Sequence, residues 1–323
     1  MPKETKTTIW VVGAPGSGKT TLITLFPLAA LRLGWILIPD QNTDRYIYQW
    51  QHDLFSRGMF PPKGDAQRSG NFSFSNFKPA DWEMSQLGNG RLRTQRTVTV
   101  VEHSLSSDYD NAGFEDQLKR QANINEEFGI VYCLDMNQPD ESCYSHLQDI
   151  VNAFGDSKSK KTRRLCLAFT KADTLAKPDR LGEDRQRVFD DVYPWGIEAD
   201  RRQQLNFVTS NILDTLERER TLGYSAISGL KQVMSGTAGD GQRSSRLETS
   251  FEICTAVGVA RDQEDNYRPN IQDSDVESNE VYERSNIQDS DVESNKVYER
   301  HQLWWSGVER VFMRAHGVMP IFI

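Results

Sequence analysis

Short apolar runs alternate with amphipathic stretches over the first two thirds of the chain, and that alternation predicts strands separated by helices. Residues 7–12 (Thr-Thr-Ile-Trp-Val-Val) read as a short buried strand, and the Leu-, Ile- and Ala-rich segment running through Leu33 as a helix. Trp35-Ile36-Leu37-Ile38 is a second apolar run. Tyr46, Ile47, Trp50 and Leu54 stand at helical spacing, and Gly58 with Pro61-Pro62 closes that helix. Residues 72–77 alternate aromatic and small polar side chains, which predicts an edge strand, and residues 96–101 form a further strand. A helix over 114–125, a buried strand over 129–135, a helix over 141–154 and a strand over 164–169 continue the alternation. Residues 205–208 and 223–226 are weaker candidates for the last elements. The pattern predicts a three-layer α/β fold, with a mostly parallel central sheet flanked by helices.

After about Val233 the composition changes. Residues 236–245 are rich in Gly, Ser and polar side chains, as linkers are. A tandem repeat follows: residues 270–279 recur as 286–295, a period of 16, and Val281-Tyr282-Glu283-Arg284 recurs as Val297-Tyr298-Glu299-Arg300. Glu280 against Lys296 is the difference within that span. Two units are too few for a solenoid, and each carries too little apolar surface to fold alone. The segment 236–300 therefore reads as a disordered acidic insertion that arose by duplication. The sharper alternative is a pair of acidic motifs around Val-Tyr-Glu-Arg that bind a partner or carry phosphate. A Ca²⁺ loop is disfavoured, because Asp273-Ser274-Asp275 lacks the ligands and glycine that should follow. In residues 301–312, Leu303/Trp304, Val308 and Val311/Phe312 make one helical face. A final helix there would pack back on the sheet, so one domain would comprise residues 1–235 and 301–323.

Composition narrows the function classes. The 323 residues carry a formal net charge of −8 and a pI of about 5.3, which argues against a nucleic-acid backbone as the main partner. The hydrophobic fraction of 37% is low for a wholly globular chain, in keeping with an unpacked insertion. Cys133, Cys143, Cys166 and Cys254 show no zinc-ligand spacing, and Cys133 and Cys166 sit in apolar runs where a small buried hydrophobe is expected. That usage favours a reducing compartment. The polar N-terminus lacks an apolar signal region and no run is long enough to span a bilayer, so the expected location is the cytoplasm.

The chemistry concentrates in Gly13-Ala14-Pro15-Gly16-Ser17-Gly18-Lys19-Thr20, with Thr21 next in the same helix start. It fits the phosphate-binding pattern G-x-x-x-x-G-K-[ST], and it lies between a strand and a helix as that pattern requires. Glycines let the backbone wrap an anion with its N–H groups pointing inward, and the helix N-terminus adds partial positive charge. Lys19 can reach β- and γ-phosphates, and the Thr20 hydroxyl can ligate Mg²⁺. The chain is therefore expected to bind a nucleoside triphosphate.

Thr170-Lys171-Ala172-Asp173 directly follows the strand over 164–169. At these residues the chain resembles the Ras-like (TRAFAC-type) superfamily of P-loop GTPases, whose base-recognition motif is [N/T]-K-x-D. The resemblance implies that Asp173 accepts hydrogen bonds from guanine N1–H and the 2-amine, and that the Lys171 stem packs on the base. A carboxylate so placed would face no matching donor pair on adenine. Downstream, Ser225-Ala226 is similar to the family's S-A loop, whose backbone N–H groups contact the guanine oxygen. The resemblance covers residues 7–230 in motif order. The helix ending in Leu33-Gly34-Trp35 and the aromatic-rich segment before the strand over 96–101 further resemble divergent, double-GTPase-like members of conflict and signalling systems.

The hydrolytic parts depart from the family. Its D-x-x-G motif would follow the strand over 97–101, where this chain has Glu102-His103-Ser104-Leu105. Glu102 would stand for the Asp that serves Mg²⁺, Leu105 falls where the Gly should be, and Glu102 or His103 would have to orient water. His103 reads equally well as an exposed turn histidine. Thr43, in the polar stretch 39–44, is the candidate for the Thr that closes over Mg²⁺, and an ordinary loop Thr is the alternative. The expected function is a slow Mg²⁺-dependent GTPase that binds GTP and GDP, switches between states and signals through a protein effector. The alternatives are a nucleotide-binding adaptor with little hydrolysis and a P-loop ATPase or kinase.

Overall fold

Residues 128–134 are buried without a break. A strand hidden on both faces needs helices above and below it, as in parallel α/β sheets. The computed structural model describes residues 5–57, 60, 70–77, 96–105, 111–124, 126–135, 143–155, 157, 161–171, 247–256, 259–261, 267–269 and 307–317.

The elements run in the order β1 (Thr5–Gly13), α1 (Lys19–Arg32), β2 (Ile36–Pro39), α2 (Gln41–Arg57), β3 (Asn71–Phe77), β4 (Arg96–Ser104), α3 (Asn111–Asn123), β5 (Glu127–Asp135), α4 (Cys143–Gly155), β6 (Arg163–Thr170), β7 (Leu247–Ile253), β8 (Val259–Arg261), β9 (Tyr267–Pro269) and α5 (Val308–His316). Seven strands form one sheet in the order β2-β3-β4-β1-β5-β6-β7, and β8 with β9 makes a separate antiparallel pair. β3 runs antiparallel to both neighbours, whereas β4, β1, β5, β6 and β7 are mutually parallel. The three-layer, mostly parallel α/β fold expected from the alternation of elements is the fold the chain adopts.

Strand alternation divides the core into two. Ile9 and Val11 of β1 face one way and meet Leu22, Ile23 and Phe26 of α1, Ile47 and Leu54 of α2, and Val308, Val311 and Phe312 of α5. Trp10 and Val12 face the other way and meet Phe114 and Leu118 of α3 and Leu147, Ile150 and Phe154 of α4. Cys133 and Cys166 are free thiols buried on the first side, small hydrophobes as expected, Cys254 joins them there, and burial pushes Cys133 up to about 12.

α5 closes that first layer, as the apolar spacing in the tail required, and runs over Val308–His316, past the expected end at 312; residues 301–306 lie outside the described residues. Its backbone approaches β5 so closely that a Cβ on Gly129 would overlap the Ala315 carbonyl. Polar clamps fix its direction. The wholly buried Arg310 and Glu252 lie 2.6 Å apart, Arg314 reaches the other oxygen of Glu252 at 3.3 Å, and Arg32 at the end of α1 meets Glu309 at 2.7 Å. Across the sheet, buried Arg163 donates to the carbonyls of Ala122, Ile124 and Glu126 and so caps the C-terminus of α3.

Other features differ from the sequence reading. Leu247–Ile253 lies inside the segment read as a disordered insertion, yet it is β7, paired along its length with β6. Its apolar end, Phe251 and Ile253, fills the core beside Phe169, which outweighs the polar residues around it. Residues 72–77 do form a strand, but β3 is not the edge, because the short β2 pairs outside it. α2 begins at Gln41, before Tyr46, since Asp40 caps it: Asp40 Oδ1 accepts from the Thr43 amide at 2.8 Å. Residues 205–208, 223–226 and 270–300 lie outside the described residues. Among the described residues no helix is long and apolar enough to cross a membrane.

Candidate functional site

β1 ends at Gly13, and the backbone then turns through three glycines with φ of 155° (Gly13), 79° (Gly16) and 81° (Gly18) before α1 begins at Lys19. Each is a conformation that a side chain disfavours. Gly13 is also sterically required, because a Cβ there would stand 2.6 Å from the Cys133 carbonyl oxygen and 2.8 Å from Ser17 Oγ. The Ser17 amide donates to the Ala14 carbonyl at 3.1 Å and closes the turn, leaving Pro15 and Gly16 exposed at its tip. Thr21 is buried one residue into the helix beyond Thr20.

Lys19 is 3% exposed, and its ammonium donates to the Gly13 and Ala14 carbonyls at 3.0 and 2.7 Å. Burial holds its pKa below the ordinary lysine value, with nearby Glu102 acting in the opposite sense. Thr20 Oγ1 donates to Glu102 Oε1 at 2.6 Å. Glu102 comes from β4, whose register sets it beside Val11 of β1, and its own amide donates to the Gly70 carbonyl at 2.8 Å. Burial raises the Glu102 pKa above the usual carboxylate value, against the pull of the Thr20 hydroxyl and the Lys19 charge. The Leu105 amide donates to the Gly13 carbonyl at 3.0 Å, and its side chain is buried beneath the loop in the α3-side core.

β6 delivers the second motif to the same place. Thr170 Oγ1 lies 2.7 Å from the Ser17 carbonyl oxygen and 3.1 Å from that of Leu134. Lys171 follows with φ 57°, its ammonium 2.6 Å from Asp135 Oδ2 at the end of β5. Asp135 was not singled out in the sequence. The available signal was an acidic side chain on the last residue of a buried strand; that it stands level with Thr170 comes from the register of β5 and β6. Asp173, Ser225 and Ala226 lie outside the described residues.

Two candidates sit differently from their sequence reading. His103 is neither exposed nor in a turn. It is the penultimate residue of β4, and alternation turns its ring to the face opposite Glu102. There it packs on Trp10 at 4.3 Å and Phe114 at 5.9 Å, and neither ring nitrogen has a hydrogen-bond partner. Desolvation pushes its pKa down to about 4. Thr43 is not in a loop but in the first turn of α2, buried, and its hydroxyl accepts from the Ser73 amide at 2.9 Å.

The arrangement suits a chain of phosphates. A glycine-bent loop, a helix N-terminus and a buried ammonium lie together, and the donor class of Thr20 with Glu102, a hydroxyl beside a carboxylate, suits a hard divalent cation. Among the described residues no cluster of three or more His, Cys, Asp or Glu side chains could hold a metal ion.

No protein-family model and no curated protein matches the chain. Among solved structures, a protein described as nucleolar GTP-binding protein 1 of Plasmodium falciparum overlaps 79% of this chain and 79% of its own, at 11% identity and a TM-score of 0.32.

Proposed function

We propose that the chain is a cytoplasmic guanine-nucleotide-binding protein that hydrolyses GTP slowly with Mg²⁺ and works as a switch read by a protein effector. One observation carries the reading: the 2.7 Å approach of Thr170 Oγ1 to the Ser17 carbonyl. It ties Thr170, the first residue of Thr170-Lys171-Ala172-Asp173, to the glycine-rich loop, which supports reading the two motifs as the base end and the phosphate end of one site. That supports guanine as the base, since the Asp173 carboxylate matches the paired donors of guanine and would stay unpaired against adenine.

The division of labour follows from the groups present. The loop N–H groups, of which Pro15 has none and that of Ser17 is turned to the Ala14 carbonyl, would with the Lys19 ammonium hold phosphate oxygens and stabilise charge on the transferring phosphoryl group. Thr20 and Glu102 would hold Mg²⁺, which when bound supplies Lewis-acid charge at the β- and γ-phosphates. Thr43 would join them only if the first turn of α2 opened and released its hydroxyl from Ser73. His103 would need to leave the Trp10 stack to orient water. No arginine finger or water-orienting glutamine can be assigned from the sequence, which supports slow turnover.

A second reading, a nucleotide-binding adaptor with little hydrolysis, is favoured by Leu105. A buried leucine whose amide is committed to Gly13 is poorly suited to the backbone reorientation that a glycine permits. The deciding experiment is a titration with fluorescent GDP, GTP and ATP analogues in Mg²⁺, for the native chain and Asp173→Asn. Guanine preference that disappears in the variant is expected. Equal or tighter ATP binding, unaffected by the substitution, would overturn the reading in favour of an ATP-using enzyme. Single-turnover hydrolysis then separates the switch from the adaptor.

A further inference from the structure

Lys171 is the one described residue other than glycine with a positive φ, 57°. A side-chain-bearing residue holds that conformation only when its surroundings impose it. Two contacts do so. Thr170, just before it, is anchored by its hydroxyl to the Ser17 and Leu134 carbonyls. Beyond it, the Lys171 ammonium is fastened to Asp135 Oδ2 at 2.6 Å. Register explains the match, because β5 and β6 pair Asp135 with Thr170 and the chain leaves the sheet beside the Asp135 carboxylate. The side chain is thus fixed at both ends. It runs across the ends of two strands next to the phosphate loop, near enough for its charge to be felt by Lys19.

An ion pair in which the lysine is 38% and the aspartate 16% exposed contributes little to stability, because solvent screens it. What it does is immobilise a long, otherwise mobile stem before any ligand arrives. We propose that Asp135 is a positioning residue for the nucleotide base. Its carboxylate holds Lys171 so that the four-carbon stem lies ready as one wall of the base site, and the ordering cost is met in the free protein. The inference rests on the guanine-nucleotide reading and adds to it a residue outside the recognised motifs.

The test measures equilibrium affinity and dissociation rate of a fluorescent GDP analogue, in Mg²⁺, on the full chain. The variants are Asp135→Asn, Asp135→Glu, Lys171→Met and the double Asp135→Asn/Lys171→Met. Removal of the carboxylate charge is expected to weaken GDP about five- to ten-fold, mainly through faster dissociation. Glu at position 135 should recover part of the loss. The double variant should bind no worse than Lys171→Met alone, since the aspartate acts through the lysine. Thermal melting without nucleotide should be unchanged in Asp135→Asn, which a merely structural role would not allow. Native-like GDP binding by Asp135→Asn while Lys171→Met is weakened would overturn the positioning role alone. So would losses that multiply in the double variant. Native-like binding by Lys171→Met together with Asp173→Asn would overturn the guanine reading, and the positioning role with it.

Discussion

Thr20 Oγ1 and Glu102 Oε1, 82 residues apart in the chain, meet at 2.6 Å at the foot of the phosphate loop. The contact joins the first turn of α1 to the end of β4. The carboxylate starts from a residue level with Val11 of β1 and reaches the hydroxyl at the start of α1.

Glu102 has a pKa raised by burial, so its protonated form favours the fold. The stability it contributes without nucleotide is complete below the ordinary value of 4.5 and is lost as pH rises through the folded value. Glu102→Gln, which keeps an acceptor for Thr20, should therefore gain on the native chain in melting temperature as pH rises from 4.5 to 8. With Mg²⁺ and nucleotide present the order should reverse, because cation binding uses the ionised carboxylate. Parallel melting curves for the two proteins across that range would contradict the assignment.

His103 carries the opposite sign. Its pKa of about 4, against 6.5 in a solvated imidazole, means that the fold favours the neutral ring. That contribution is complete above pH 6.5 and lost as pH falls through about 4. The loss at strongly acid pH amounts to about 3 kcal/mol. His103→Phe, which retains packing on Trp10 and Phe114, should show a flatter acid limb in urea titrations at pH 7.5 and 4.5. Identical acid sensitivity in both proteins would mean that the ring is solvated.

The Glu252–Arg310 pair fastens α5 to the end of β7 with both side chains out of water. Arg310→Met should destabilise the fold by about 3–5 kcal/mol, because it leaves a buried carboxylate with only the more exposed Arg314. Replacing both residues, Arg310→Met with Glu252→Leu, should recover most of that loss in urea denaturation. Failure to recover would indicate that α5 needs the geometry of the pair and not only charge balance.

Deletion boundaries in the second half of the chain should matter sharply. Removing residues 270–300, the tandem repeat, should leave nucleotide affinity within about three-fold, since loop length alone costs little. Removing residues 240–298 also removes β7, with Phe251, Ile253 and the buried Glu252, and should abolish cooperative unfolding. Equal behaviour of the two deletions by circular dichroism and nucleotide titration would contradict the place of β7 in the sheet.

Motif positions were legible because local chemistry demands them. The glycines at 13, 16 and 18 adopt backbone angles that other residues resist, and Thr20 with Lys19 opens a helix as the pattern requires. Asp135 was not legible, because its importance comes from strand register: it matters through being level with Thr170. His103 was misplaced for a related reason. Nothing in Glu102-His103-Ser104-Leu105 says how far β4 extends, and His103 takes the face of Trp10 and Val12 only because the strand continues through it. β7 was hidden by composition, since a strand at the rim of the sheet needs only its last few residues to be apolar.

By itself the sequence determined the alternation of strands and helices, the glycine-bent loop between β1 and α1 and the return of the last helix to the sheet. These follow from periodicity and backbone sterics, which act over a few residues. Only the tertiary structure decided which distant residues share a face. It brought Glu102 to Thr20, Asp135 to Lys171, Thr170 to Ser17 and Arg310 to Glu252. Those pairings depend on strand order and register across the sheet, and both are set by how the whole core packs.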